Sequence, residues 1–333
     1  MTLKSALLSF VVVVSAFLAG LWAEHYYDLG EALLHWDKNL IKSRSDFLFM
    51  AMQKSQGLDH HDLWVSQMDI QLRNELSTYR DKQTVQQVGI YFHDLKSEKY
   101  FGINSEIGFS AASLLKIPFL MAYFKAAKQR PEIIREKVLY TKKIFDSARL
   151  KQNIAPPDEL IDGKEYPANE LLGRMVTMSD NVATDMLIAK HPEISVYDAM
   201  KDLKIRLFSG PGGLDYLTVK DYSKVFLSLY YQDYIDAKAS EAALKMMTLS
   251  IYKRGLVAGV PSHIEVAHKF GERTLGNTKQ LHDCGIVFYP PRPYLLCIMT
   301  RGREYAALEK TIQKTSKIVF EQVQRQFPKS EEE

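Results

Sequence analysis

Cysteine is nearly absent from this chain. Its 333 residues include only Cys284 and Cys297, and no pair is spaced as C-x-x-C. A thiolate zinc site or a scaffold held by several disulfides needs more cysteine than this. The sequence therefore excludes both classes and predicts a domain, or at most two, stabilised by an ordinary hydrophobic core.

A strong charge of either sign is also lacking. The net charge is +3, and no basic stripe interleaved with aromatic residues occurs, so we expect no nucleic-acid partner. The segment Asp59-His60-His61-Asp62 concentrates metal-binding residue types, but it falls in a predicted interhelical loop without a distant partner. We interpret it as a solvated loop, and we expect no metal and no cofactor.

Long apolar runs are absent except at the N-terminus. Residues 5–23 carry no charge, and Lys4 precedes them. A run of this length can cross a bilayer as a helix, and the positive-inside rule places the rest of the chain outside the cytoplasm. A cleaved signal peptide is the alternative and would make the protein secreted, but Leu21 and Trp22 make a poor cleavage site. We predict a membrane anchor at 1–23, with the remainder periplasmic or at the cell surface.

The chain after this anchor divides into three parts. Apolar residues at helical spacing predict a helical stalk at 24–62. A catalytic domain is predicted at 63–327, with a helical subdomain at about 112–260. The charged tail at 328–333 is predicted to be disordered.

The order of patterns within the domain predicts its fold class. An amphipathic helix precedes two strand-like runs, and a long helical block, three late strands and a closing helix follow. This order predicts an α+β fold in three α/β/α layers. A five-stranded antiparallel sheet would be flanked by the terminal helices, and a helical subdomain would be inserted after its second strand.

The first chemical motif is Ser113-Leu114-Leu115-Lys116. Residues three apart on a helix share a face, and a lysine whose pKa is lowered by burial can take the proton of a serine hydroxyl. The spacing alone is weak, because Ser250-Ile251-Tyr252-Lys253 repeats it. We interpret that second instance as chance.

Two more motifs follow in sequence. Ser179-Asp180-Asn181 by itself predicts a helix cap, and Lys269-Phe270-Gly271 by itself predicts an exposed strand lysine. Together the three motifs occur in the order S-x-x-K, S-D-N, K-x-G, which is the signature of active-site serine β-lactamases and penicillin-binding proteins. The chain resembles the class A β-lactamase family over about residues 63–327, including the segments 110–118, 175–184 and 285–291.

This resemblance implies roles for the nucleophilic residues. Ser113 attacks a carbonyl and becomes acylated, with Lys116 as its base. Ser179 passes a proton to the leaving nitrogen.

The same resemblance implies a substrate-binding set. Asn181 binds the substrate's side-chain amide, and Lys269 attracts its carboxylate. Gly271 allows the substrate backbone to approach. The backbone amides of Ser113 and Glu272 form the oxyanion hole.

The chain departs from the family in its hydrolytic loop. The family's Glu and its Pro-Glu-Leu-Asn are missing, and Phe208-Ser209-Gly210-Pro211-Gly212-Gly213-Leu214-Asp215 stands in their place. Asp215 is the only carboxylate there, and a loop-capping role is favoured over that of a base. We expect slow deacylation.

A second departure concerns the substrate carboxylate. Phe270 replaces a Thr or Ser whose hydroxyl binds that carboxylate in the family, and Asp283 with Cys284 takes the place of a family arginine. Arg273 lies nearby and is a candidate substitute.

The two cysteines flank a predicted hairpin symmetrically. Cys284 and Cys297 are equidistant from the turn at 290–293, so they oppose each other. A disulfide and a pair of buried thiols both remain open, and the thiols are favoured.

These observations favour a membrane-anchored serine acyl-hydrolase or acyl-transferase. Its substrate class is a small molecule or a peptidoglycan peptide, with β-lactams as mimics. A true β-lactamase is the nearest alternative. A binding or scaffold protein that has lost catalysis is the third, favoured by Phe270 but opposed by the intact Ser113 and Lys116.

Overall fold

The computed structural model describes residues 60–77, 84–145, 152–290 and 292–328. The predicted anchor, the stalk up to residue 59 and the tail after residue 328 lie outside the described residues. No helix within these ranges combines the length and apolarity needed to cross a bilayer. The prediction of a loop at 59–62 is wrong from His60 onward, because the first described helix begins at that residue. No glycine or proline separates His60 from the apolar positions that follow.

The described elements alternate as the sequence predicts, with additional short strands. The α-helices are α1 (His60–Ser77), α2 (Lys116–Gln129), α3 (Lys142–Phe145), α4 (Ala168–Thr177), α5 (Asn181–Lys190), α6 (Val196–Asp202), α7 (Val219–Tyr231), α8 (Ala237–Thr248) and α9 (Tyr305–Gln326). The strands are β1 (Val85–Asp94), β2 (Tyr100–Ile103), β3 (Gly108–Ser110), β4 (Lys137–Leu139), β5 (Glu165–Pro167), β6 (Phe208–Ser209), β7 (Asp215–Thr218), β8 (Val266–Leu275), β9 (Thr278–Val287) and β10 (Tyr294–Gly302).

The predicted five-stranded sheet is confirmed, and all its pairs are antiparallel. Its order is β2-β1-β10-β9-β8, so β8 forms one edge. On β1, Ile90 and Phe92 pack toward α1 and α9, whereas Tyr91 packs toward the helical insertion. This alternation gives the sheet two buried faces and confirms the three layers.

Strands β8 and β9 form a long hairpin. Its strands continue through polar residues on both sides of the turn, and they pair from Val266 with Val287 to Leu275 with Thr278. Gly276, with φ of 57°, supplies the left-handed residue of the turn. The polar stretch does not interrupt the strands, because the residues next to the turn are exposed or half-buried at the sheet edge.

A disulfide joins Cys284 on β9 to Cys297 on β10. The favoured expectation of two free thiols is wrong, because the register places the two residues directly opposite each other, with their Cα atoms 3.9 Å apart. Both side chains are fully buried in the layer between the sheet and the helical insertion.

We expect the disulfide to be present in the folded protein and to stabilise it. Denatured but unreduced protein should give no reaction with a thiol reagent, and reduced protein should give two equivalents. Because a loop of about 15 residues contributes about 3 kcal/mol, reduction should lower the free energy of unfolding in a denaturant titration by about that amount. Two reactive thiols before reduction would contradict this assignment.

Candidate active site

Ser113 lies in a tight 3-10 turn, Ala112–Leu115, that leads directly into α2. The preceding Ala112 has φ of 45°, in the left-handed region that a residue with a Cβ rarely adopts. Such strained backbone persists where surrounding structure enforces it. The edge strand β8 lies close against this turn, since a Cβ added at Gly271 would meet Leu114 Cγ at 3.0 Å and Leu114 N at 3.3 Å. Gly271 therefore allows the strand to approach the turn that carries Ser113.

Buried side chains of the sheet hold the segment before this turn. Gln280 Oε1 accepts a hydrogen bond from Ser110 N at 3.0 Å, and His282 Nε2 lies 3.1 Å from Ser110 O. Burial lowers the pKa of His282 to about 3, so its ring is neutral. Thr300 N donates to His282 Nδ1, which leaves Nε2 as the protonated nitrogen that donates to Ser110 O. Ser113 thus starts from a fixed backbone.

Lys116 is a buried amine beside the second motif. Its Nζ donates to Ser179 O and, at 2.7 Å, to Asn181 Oδ1, and it lies 3.3 Å from Ser179 Oγ. Burial lowers the pKa of Lys116 from 10.5 to about 7, although nearby carboxylates oppose the shift. A large share of the side chain is therefore neutral near pH 7 and able to accept a proton. Among the described residues, Ser113 Oγ has no hydrogen-bond partner.

Lys269 reaches the same serine from β8. Its Nζ donates to Ser179 Oγ and to Phe270 O, both at 2.8 Å. Burial, reinforced by the charge of Lys116, holds the pKa of Lys269 well below its ordinary value. The hydroxyl of Ser179 therefore lies between two amines. Ser179 is itself fully buried and has φ of 56°.

Asp180 fixes the S-D-N motif at the start of α5. Its Oδ1 accepts from Val182 N at 2.9 Å and from Ala183 N at 3.2 Å. Its Oδ2 accepts from Arg174 Nε at 2.8 Å. The helix cap expected from the sequence is therefore present. It turns Ser179 and Asn181, on either side of Asp180, toward Lys116.

A cleft of about 570 Å³ opens over these groups. Of the predicted site residues, it is lined by Ser113, Lys116, Asn181, Glu272 and Arg273.

Three other predicted residues lie beneath or beside this cleft. Ser179, Lys269 and Gly271 are buried: Ser179 contacts the lining residue Lys116, Lys269 contacts Ser179, and Gly271 lies against Leu114. Asp215 does not line the cleft. It begins β7, where its carboxylate accepts a hydrogen bond from Tyr197 OH at 2.8 Å. That contact fits the loop-holding role favoured by the sequence.

The sequence analysis did not predict two of the residues that line the cleft. Gln152 Nε2 donates to Ser179 O at 3.0 Å, a contact that no motif indicates. Asp185 lies four residues after Asn181 on α5. Its pKa is raised by burial against the opposing charge of Lys116. Helical spacing from Asn181 was a signal that could have placed Asp185 on the same face.

Glu272 also does more than supply its backbone amide. Its Oε1 accepts from Ile154 N at 2.8 Å, which attaches the loop around Gln152 to β8. Burial raises the pKa of this carboxyl group.

Phe270 and Asp283 present no hydrogen-bond donor to the cleft. Phe270 is 1% exposed, and its ring lies 4.7 Å from that of Tyr252. Asp283 pairs opposite Phe270 in the sheet. It is fully buried and accepts from His268 Nδ1 at 2.8 Å and from Leu256 N at 2.9 Å.

Arg273 remains as a cation on the cleft wall. It lines the cleft, and its Nε is buried without a hydrogen-bond partner among the described residues. A buried donor in this condition favours an acceptor that arrives with a ligand.

Comparison with known proteins agrees with this fold. Residues 71–323 match the family model described as the beta-lactamase enzyme family. A mutant of PBP-A, solved as an acyl-enzyme complex with penicillin G, aligns with a TM-score of 0.65 and 21% identity, covering 78% of this chain and 97% of that one. A β-lactamase from Sphaerobacter thermophilus aligns at 0.64 and 20%, covering 77% and 98%. A class A β-lactamase from Mycobacterium abscessus aligns at 0.65 and 18%, covering 75% and 98%. No curated protein sequence matches significantly. At these identities the solved structures establish the fold.

We expect the reactivity of Ser113 to follow the deprotonation of Lys116. The rate of labelling by an uncharged fluorophosphonate, followed by intact-protein mass spectrometry, should rise about tenfold per pH unit below pH 7 and level off above it, because only the neutral amine accepts the proton. Lys116→Arg keeps the charge but cannot deprotonate, and it should remove the labelling. A midpoint near pH 10 would contradict the role of burial.

Proposed function

The chain belongs to the beta-lactamase enzyme family, and we propose that it is an exported serine acyl-hydrolase or acyl-transferase that carries its acyl group on Ser113. The carrying observation is Lys116, a buried amine with a pKa of about 7 that lines the same cleft as Ser113. A neutral amine three residues from a hydroxyl is a suitable base for it. Export rests on the uncharged segment at 5–23, which we propose to be a membrane anchor.

Acylation follows from the arrangement of the two amines. Ser113 Oγ attacks the substrate carbonyl carbon while Lys116 Nζ takes its proton. The backbone amides of Ser113 and Glu272 stabilise the oxyanion. As the carbon–nitrogen bond breaks, Ser179 passes a proton to the leaving nitrogen, and it is replenished from Lys116, 3.3 Å away. Lys269 keeps the Ser179 hydroxyl oriented through its own 2.8 Å hydrogen bond.

The substrate class is a peptidoglycan-stem type of amide, with β-lactams as its mimics. Asn181 directs its Oδ1 to Lys116, so its amide NH₂ is left for a carbonyl on the substrate. Arg273 supplies the cation for a substrate carboxylate, in place of the hydroxyl and arginine of the family. The structurally similar PBP-A supports β-lactams as mimics, because a mutant of it was solved as an acyl-enzyme complex with penicillin G.

Turnover of the acyl group should be slow. The loop that replaces the family's hydrolytic segment has one carboxylate, Asp215, and that carboxylate is held by Tyr197 outside the cleft. The rival function is a true β-lactamase. One observation favours it: the carboxylate of Asp185 lines the cleft together with that of Glu272.

Incubation of the full-length chain, purified in detergent, with a fluorescent penicillin should give a stable adduct on Ser113, because acylation is supported and rapid hydrolysis is not. Peptide mass spectrometry locates the adduct. Ser113→Ala should abolish it, whereas Ser250→Ala, in the second S-x-x-K sequence, should keep it. Many turnovers without an adduct would identify a β-lactamase. No reaction with β-lactams or simple esters would contradict catalysis and favour a scaffold protein.

Arg273→Gln should slow acylation by a penicillin that bears its free carboxylate by about tenfold to a hundredfold, since a charge-assisted hydrogen bond contributes about 1.5–3 kcal/mol. The methyl ester of the same penicillin should lose little, because it offers no carboxylate. Arg325→Gln, an exposed change in the last turn of α9, serves as the control. Rates are measured from adduct formation over time. Equal losses for acid and ester would exclude Arg273 as the carboxylate anchor.

A further inference from the structure

One wall of the cleft carries a carboxylate that the acylation step does not use. Helix α5 presents Asn181, Thr184, Asp185 and Ile188 to the cleft. These positions follow the i, i+3, i+4, i+7 spacing of a single helix face. We propose that Asp185 is the general base that activates water for release of the acyl group from Ser113. This inference rests on the proposed acyl-enzyme.

Its surroundings on the cleft wall suit that role. The start of α2 contributes Lys116 and Phe119 to the same lining, and α6 contributes Val196. Asp185 therefore shares a partly apolar lining with the lysine proposed to serve Ser113. Asp185 and Ser113 line the same cleft of about 570 Å³, which has room for a water molecule beside the acylated serine.

Asp185 is the carboxylate on the cleft wall that no backbone group holds. Within the described ranges, Asp185 and Glu272 are the carboxylates that line the cleft. Glu272 Oε1 is held by Ile154 N and its Oε2 is buried without a partner among the described residues, whereas Asp185 is exposed and makes no hydrogen bond to them. Asp215, the carboxylate that the sequence singles out, is held by Tyr197.

The environment of Asp185 raises the pKa of its carboxylate, which makes it a stronger base. Asp185 is exposed to the cleft, and partial desolvation there raises its pKa, while Lys116 opposes that shift and Asp180 adds to it. A carboxylate with a raised pKa takes a proton from water more readily than an ordinary one. Asp180 itself is engaged by Arg174 and by the N-terminus of α5, so it does not compete for the water.

The step balances in atoms and charge. Asp185 takes one proton from water, and the hydroxide adds to the ester carbon on Ser113. When the tetrahedral intermediate collapses, the carbon–oxygen bond to Ser113 Oγ breaks. The departing oxygen receives the proton from Asp185 through neutral Lys116. The products are free Ser113, the ionisable carboxylic acid and an unprotonated Asp185.

Measuring deacylation separately from acylation tests this inference. The full-length chain is acylated with penicillin G, freed of excess reagent by rapid desalting and followed by intact-protein mass spectrometry. Asp185→Asn should still form the adduct on Ser113 but lose it about a hundredfold more slowly, the size expected for a general base. Asp185→Glu should restore part of the rate. The unaltered chain should deacylate more slowly as the pH falls and Asp185 is protonated, and Asp185→Asn should lack this dependence.

Asp215→Asn is the matched control and should deacylate like the unaltered chain. Equal deacylation rates in Asp185→Asn and the unaltered chain would overturn the role of Asp185 and leave the acyl-enzyme intact. Failure of the unaltered chain to form an adduct would instead overturn the proposed function.

Discussion

Two lysine amines meet on one serine hydroxyl in the interior of this protein. Lys116 and Lys269 both contact Ser179 Oγ, and both are removed from water. Each amine loses its hydration on burial, which lowers its pKa, and the charge of Lys116 lowers the pKa of Lys269 further. The surrounding carboxylates oppose these shifts only in part. The result is an amine on Lys116 with a pKa of about 7 that lines the same cleft as Ser113, which is the basis of the proposed chemistry.

Much of the backbone around this cluster serves to hold it. Ala112 and Ser179 both adopt left-handed backbone conformations, one before the nucleophile and one at the shared hydroxyl. Gly271 brings the edge strand against the turn of Ser113, and the same strand carries Lys269. Strained positions of this kind persist where their neighbours are held, as Ser110 is by Gln280 and His282 and Ser179 is by Lys269. Site and fold are thus parts of one packing arrangement.

The fold and the nucleophilic half of the site could be predicted from the sequence, because both depend on local signals. Hydrophobic periodicity identifies the layers, and motif order identifies Ser113 and Lys116. The rest depends on which way side chains turn in three dimensions. Phe270 follows Lys269 on a strand, and no pattern indicates that its ring packs inward on Tyr252. Asp185 belongs to no motif, and its place on the cleft wall emerges only when α2, α5 and α6 are assembled.

The proposed activation of Ser113 depends on the pKa of Lys116. Nuclear magnetic resonance of the full-length chain labelled with ¹³C at lysine Cε reports the protonation of each amine as the pH changes, and Lys116→Arg assigns the signal. We expect a titration midpoint at about 7, well below that of the exposed lysines. A midpoint near 10 would mean that Lys116 is charged at neutral pH, and it would contradict the mechanism at its first step.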